Sequence, residues 1–281
     1  MWRPIYWTIP NRLAMQRRWN STLVFAVLAQ LAVSGCDGVS NEASTSELAA
    51  MDVPACPLAK AATMGLMTSL PLNYPLGAEI SDIAGGGAEL PWQSDVLARC
   101  NTVVPLDSLA PVQAIGPGLA GSSPLDGTDN LAVIQPRGLS PSDNVALDDW
   151  VRTGGHLLLA LDPMLTGEYD LPLGDPRRPN VVALIPPVAA RWGMEITFDE
   201  SQAFETRQVQ IGTETIPVLL AGEIVVADGV CVRSEAYPVQ KCKVGQGSVT
   251  MIADAAVFED QELAGPQGRA IEALLAFAFD Q

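Results

Sequence analysis

The side chains of this 281-residue chain best suited to attack, coordinate or relay a proton are five cysteines and one histidine, His156. A nucleophilic cysteine or serine works on a sharp strand-to-helix turn, with a histidine and a carboxylate to activate it. No cysteine stands in a G-x-C-x-G setting, and no G-x-S-x-G occurs; Gly121-Ser122-Ser123 falls in a Pro/Gly-rich stretch. Any triad would have to use His156, which begins a strand at the end opposite the usual crevice. His156 therefore reads as a cap or surface residue, and the chain as a non-enzyme without catalytic residues. Zinc wants closely spaced Cys and His pairs. With no CxxC and a single histidine, neither a metal nor a cofactor is expected.

One cysteine points to different chemistry. Arg17 and Arg18 precede an apolar run, Leu23 to Val33, too short to cross a bilayer, which takes about 20 residues. It has the size of a secretory signal. Val33-Ser34-Gly35-Cys36 resembles the bacterial lipobox, in which the cysteine is acylated and becomes the mature N-terminus. The resemblance implies a signal peptide over 1–35, a lipidated flexible tether over 36–55 and one extracytoplasmic domain over 56–281. Two or more acyl chains anchor a protein stably, so Cys36 would hold the chain on the periplasmic face of the cell envelope. Asp37 after the lipidated position favours the inner membrane over the outer.

Residues 1–35 hold four arginines and no acid, leaving 12 basic against 32 acidic residues beyond them, a formal charge of −20. Such a chain repels phosphate backbones, so nucleic acid is excluded as a partner. Four cysteines remain after Cys36, an even number that in an oxidising compartment reads as two disulfides. Three pairings are possible; Cys231–Cys242 with Cys56–Cys100 is the economical one, because Cys231 and Cys242 flank an expected hairpin.

These residues must be positioned by a domain that alternates strand and helix. Strands are expected over 64–70, 102–106 and 131–135, a helix over 93–99, and an aliphatic strand over 156–161. Between the last two strands Ser140 is a natural N-cap, Pro141 suits the first helical position and Asp143 the first turn. Val145, Leu147, Trp150 and Val151 give this helix an apolar stripe, and Gly154-Gly155 ends it in a left-handed cap. Strand, helix, strand with short connections is a βαβ unit. A short helix beyond Pro187, strands near 195–198 and 208–211, and a hairpin formed by 218–232 and 237–244 follow. A strand over 248–253 and a helix over 268–279 close the pattern.

Two blocks, DNLAVIQPRGLSPSDNVALDDWVRTGGHLLLALDPM (129–164) and CKVGQGSVTMIADAAVFED (242–260), resemble the ectodomain module of auxiliary proteins in gliding-motility-type ABC export systems. The resemblance rests on Leu147, Trp150, Val151, Gly154, Gly155, Asp162, Pro163, Gly245, Gly247, Val249 and Asp254. It implies an α/β, doubly wound, mostly parallel sheet similar to class I glutamine amidotransferases, without their chemistry, here with a disulfide-stapled hairpin region. It also implies an ABC permease or another envelope protein as partner.

In open α/β sheets the ligand crevice lies beyond the carboxyl ends of the strands. Ser69, Gln135, Arg137, Asp162 and Asp254 fall there and are the candidate ligand-facing residues, although for both aspartates capping of the helices that follow is the favoured role. The sequence thus supports a non-catalytic, partner-binding envelope lipoprotein. The alternatives are a periplasmic hydrolase or amidase of the same fold, and a small-ligand-binding lipoprotein.

Overall fold

Short aliphatic runs without alternation form the centre of a sheet covered on both faces. In this computed structural model the described residues are 62–279, apart from 79–80, 82, 84, 87–88, 113–120 and 228–230. The chain parts into two units, Met1–Asp52 and Val53–Gln281, and the described residues belong to the second. The expected signal peptide, Cys36 and Cys56 lie outside them.

The strands are β1 (Ala62–Thr68), β2 (Asn101–Pro105), β3 (Asn130–Ile134), β4 (His156–Ala160), β5 (Met194–Thr197), β6 (Thr206–Ile211), β7 (Glu214–Leu219), β8 (Glu223–Val226), β9 (Val239–Val244) and β10 (Gly247–Ile252). The helices are α1 (Trp92–Ala98), α2 (Pro141–Arg152), α3 (Pro187–Arg191), α4 (Ala256–Glu259), α5 (Gln261–Ala264) and α6 (Arg269–Phe279). Six strands form the central sheet in the order β2-β1-β3-β4-β10-β9. All pairs in it are parallel except β10 with β9. Among the parallel strands the order is 2-1-3-4-5, the flavodoxin-type doubly wound arrangement, whose direction reverses between β1 and β3.

Successive strand residues point to opposite faces, and two cores result. Met64, Leu66, Ala132, Ile134, Leu158 and Ala160 pack on one side with Leu97 of α1 and Ile271, Leu274, Leu275 and Ala278 of α6. Leu131, Val133, Leu157, Leu159, Val249 and Met251 pack on the other with Leu147 and Val151 of α2 and Val188 and Ala189 of α3. Each fully buried aliphatic side chain contributes about 1.5–3 kcal/mol relative to exposure.

Helix α2 starts as its sequence requires. Ser140 Oγ accepts the Asp143 N–H at 3.1 Å, and Asp143 Oδ2 accepts the Ser140 N–H at 3.0 Å, a reciprocal capping box. The other oxygen, Oδ1, accepts from Ser108 Oγ and from the Leu109 and Ala110 amides, at 2.8–2.9 Å. Burial pushes the Asp143 carboxyl up, but these bonds outweigh it and hold it near 2.

The hairpin expected from 218–232 and 237–244 is not formed as such. β7 pairs back onto β6, β8 pairs with β5, and β9 is spent on the edge of the central sheet. Isolated bridges, Ile224 with Tyr237 and Cys231 with Cys242, join what is left. The Cys231–Cys242 disulfide staples this edge. Cys100 is also disulfide-bonded, and its expected partner Cys56 lies outside the described residues. Among the described residues no helix is long and apolar enough to cross a membrane.

Candidate functional site

The reversal between β1 and β3 is where a doubly wound sheet opens its ligand crevice, and here that mouth is stitched. Ser69, just past β1, donates its N–H and its hydroxyl to the Gln135 carbonyl, at 3.2 and 2.5 Å. Gln135, just past β3, is fully buried and sits at φ +42°. This left-handed backbone turns its side chain along the strand ends rather than out of them. Its Oε1 accepts the Asp162 N–H at 2.8 Å, and its Nε2 donates to the Asp162 and Asn180 carbonyls.

Asp162 and Asp254 follow β4 and β10, and both are fully buried. The Asp162 oxygens accept the Met164 and Ala255 amides, at 2.7 and 2.9 Å. Those of Asp254 accept the Leu219 and Ala256 amides, at 2.7 and 2.8 Å. Each aspartate holds the turn that follows it and one distant segment; the expected helix capping is not formed at Asp162, because the chain after β4 runs to Pro187 without a helix.

A third carboxylate joins them. Glu259, at the end of α4, accepts the Thr166 and Gly167 amides and the Tyr169 hydroxyl. Burial pushes Asp162 up to about 7, against the pull of its two backbone donors. Burial and then the neighbouring Asp162 charge raise Asp254. Burial also raises Glu259, and burial followed by the Glu259 charge raises Tyr169. Glu259 and Tyr169 carry no sequence signal for this role, since ninety residues separate donor from acceptor.

Arg137 stands apart from this buried group. It is exposed, and its guanidinium donates to the Arg178 carbonyl at 3.2 Å. Its own carbonyl accepts from Asn180 Nδ2 at 3.3 Å. These bonds draw the segment 162–186 across the strand ends, where the Ala183 N–H reaches the Asp162 carbonyl and the Leu165 N–H reaches the Val181 carbonyl, both at 2.9 Å. Thus Ser69, Gln135, Asp162 and Asp254 are brought together beneath a cover, and Arg137 helps to fasten it.

His156 lies at the opposite edge. It is half-buried, with Nδ1 2.8 Å from Ser248 Oγ. Burial, then the Lys241 charge, lowers its pKa and favours the neutral ring. Among the described residues no cluster of His, Cys, Asp and Glu is arranged to hold a metal ion.

No protein-family model and no curated protein matches the chain. Solved structures do. An exo-β-1,4-mannosidase from Opitutaceae bacterium strain TAV5 is 16% identical, with 78% of this chain and 36% of that one covered, at a TM-score of 0.43. A β-galactosidase from Bacillus circulans sp. alkalophilus is 11% identical over 76% of this chain and 30% of that one, at 0.39. A ThuA-like protein from Parabacteroides merdae ATCC 43184 is 9% identical over 78% and 90%, at 0.35.

The chain spans about a third of the length of these glycosidases. One expectation is corrected here: the chain was read as a non-enzyme, and several of the matched chains are glycosidases, so that exclusion is withdrawn. The exclusion had rested on the lack of a nucleophile beside His156. Glycoside hydrolysis uses a pair of carboxylates instead, a chemistry that a search for triads does not test.

Proposed function

We propose that this chain is a partner-binding module of the bacterial cell envelope, held to the membrane by lipid on Cys36. Its domain is of glutamine amidotransferase-like fold, and its partner is an envelope subunit such as the permease of an ABC export system. One observation carries the docking part of this reading. On the segment covering the strand ends, Val181, Val182, Leu184 and Ile185 are 43–60% exposed, and Met164 on the adjoining stretch is 45% exposed. Single exposed apolar residues are ordinary, but a contiguous group marks an interaction surface. The resemblance of residues 129–164 and 242–260 to ABC export auxiliary proteins supports the choice of partner. The test is purification from native membranes with mass spectrometry of what accompanies the protein. An ABC-exporter subunit should accompany wild type and be lost with Leu184→Asp, while Cys36→Ala should leave the membrane fraction. Retention of the subunit by a folded Leu184→Asp protein would overturn the docking surface.

A second reading, a hydrolase, is favoured by the raised carboxyls of Asp162, Asp254 and Glu259. A carboxyl titrating near neutral pH is suited to general acid catalysis. Substrate would have to displace the cover, since these oxygens are bound to the chain's own amides. Under this reading Asp162→Asn abolishes hydrolysis of aryl glycosides and amides; an activity indifferent to that change removes it.

A further inference from the structure

Residues 163–171, the first arm of the cover, reach the body of the domain through carboxyl oxygens. The Met164 N–H donates to Asp162 Oδ1 at 2.7 Å. The Thr166 and Gly167 N–H groups donate to Glu259 Oε2 at 3.2 and 3.0 Å, and the Tyr169 hydroxyl donates to Oε1. A Cβ at Gly167 would fall onto the Glu259 carboxyl, so the arm lies directly on that group. Among the described residues the arm's other hydrogen bonds stay within the cover. The Leu165 N–H meets the Val181 carbonyl at 2.9 Å, and Arg178 Nη1 meets the Tyr169 and Leu171 carbonyls at 2.7 and 2.8 Å.

Asp254 completes the group. Asp162 comes from the end of β4, Asp254 from the turn after β10 and Glu259 from α4. The Glu259 charge acts on both aspartates, and that of Asp162 acts on Asp254. Ser69 and Gln135, which close in from β1 and β3, carry no charge. Tyr169 and Arg178 face the group from the cover, with Arg178 Cζ 5.9 Å from the centroid of the Tyr169 ring. No ion pair among the described residues includes Asp162, Asp254 or Glu259.

Three neighbouring carboxyls without a bonded cation repel one another when all are ionised, the more so where water is excluded. Burial accordingly pushes Asp162 up to about 7 and raises Asp254 and Glu259. Such repulsion is relieved by unfolding the domain or by lifting the arm so that water reaches the carboxyls. Lifting the arm disturbs less. The strands beneath it are buried within the sheet, whereas in the arm only Leu165 is buried, and Met164, Glu168 and Asp170 are exposed. Segments with few buried apolar contacts are the ones that open locally.

We propose that residues 163–171 form a pH-sensitive strap, latched over the strand ends in acid and released as Asp162, Asp254 and Glu259 ionise against one another. Release bares the crevice lined by Gln135 and the two aspartates. It does not depend on whether 181–185 docks on a partner. The closed strap holds protons that the open one gives up. The opening equilibrium therefore rises with pH, by up to about tenfold per pH unit for each proton released, and levels off above the folded Asp162 value near 7.

The test is hydrogen–deuterium exchange of the full chain at pH 5, 6, 7 and 8, read by mass spectrometry and corrected for the intrinsic pH dependence of amide exchange. Peptides from 163–171 should show an opening equilibrium about tenfold or more higher at pH 7 than at pH 5, with little change in β3 and β4. Asp162→Asn removes one ionisation and should cut that rise by about threefold or more. Should it fail to fold, Glu259→Gln decides in its place. An opening equilibrium for 163–171 that is flat from pH 5 to 8, or one that rises in step with β3 and β4, would overturn the strap. So would an unchanged rise in the deciding variant.

Discussion

Gln135 grips Asp162 by the backbone, its amide oxygen on the N–H at 2.8 Å and its amide nitrogen on the carbonyl at 3.2 Å, as a neighbouring strand would. The side chain thereby extends the β3–β4 ladder by one rung past the end of both strands. Gln135→Ala should leave the buried Asp162 N–H unpaired, at about 1–3 kcal/mol for such a group, and free the Asn180 carbonyl. A loss of about 2–4 kcal/mol in urea unfolding is expected. A loss below 1 kcal/mol would show that the clasp is dispensable.

The buried carboxyls give stability an unusual pH dependence. An aspartate in the unfolded chain titrates near 3.8, whereas folded Asp162 titrates near 7. Between those values the folded state holds the extra proton, so stability falls as pH rises from about 4 through 7. Asp254 and Glu259 shift in the same direction. His156, whose pKa burial lowers, opposes them as pH rises toward 6.5. Asp143 acts in the acid range: its folded value near 2 gives stability that is present above 3.8 and lost as pH falls toward 2. Calorimetry from pH 2 to 8 should therefore place the highest Tm near pH 4–5, with Asp143→Ala flattening the acid limb. A Tm that climbs from pH 5 to 7 would contradict the protonated state of the carboxyl cluster.

Gly245 and Gly247 sit in the turn between β9 and β10 for steric reasons that can be measured. A Cβ at Gly247 would press into the Gly155 and Val151 carbonyl oxygens, and one at Gly245 would lie 2.7 Å from the Arg152 backbone. Neither neighbour can yield without unwinding the end of α2. Gly247→Ala should cost about 3 kcal/mol or more, at the upper end of overpacking. Gly174→Ala, at φ +85° with open space around it, should cost about 1–2 kcal/mol from left-handed backbone strain. Equal Tm losses in the two variants would show that the close approach to α2 is not what selects glycine.

The Cys231–Cys242 disulfide closes a short loop, with the partners 11 residues apart. Chain-entropy arguments give a cross-link of this span about 2–3 kcal/mol. Cys231→Ala with Cys242→Ala should lower the unfolding free energy measured in urea by that amount, moving the midpoint down, and leave the central sheet intact by circular dichroism. An unchanged midpoint would show that bonding of β9 to β10 holds this edge without it.

Much of the central sheet was legible because its signals are local. The Ser140-Pro141-Asp143 start of α2 and the glycine-bounded aliphatic strands 156–160 and 247–252 state their own boundaries within a residue or two. The strands of 206–226 were misassigned: β7 and β8 were merged into one hairpin arm over 218–232, and their partners β6 and β5 are chosen by packing that no local pattern records. At the carboxyl ends, Ser69, Gln135, Asp162 and Asp254 were found by topology. Their use as clasps was not, because it depends on amides at Leu219 and Ala255 and a carbonyl at Asn180 that are distant in sequence.

The central claim is that the aliphatic stretch 181–185 docks on a membrane partner, and a photocrosslinking amino acid placed at Leu184 tests it most directly. A second placed at exposed Gln208, on β6, serves as control. Irradiation in native membranes should join position 184, and not 208, to an integral subunit of an ABC exporter. Adducts formed equally from both positions, or none from 184, would contradict the account.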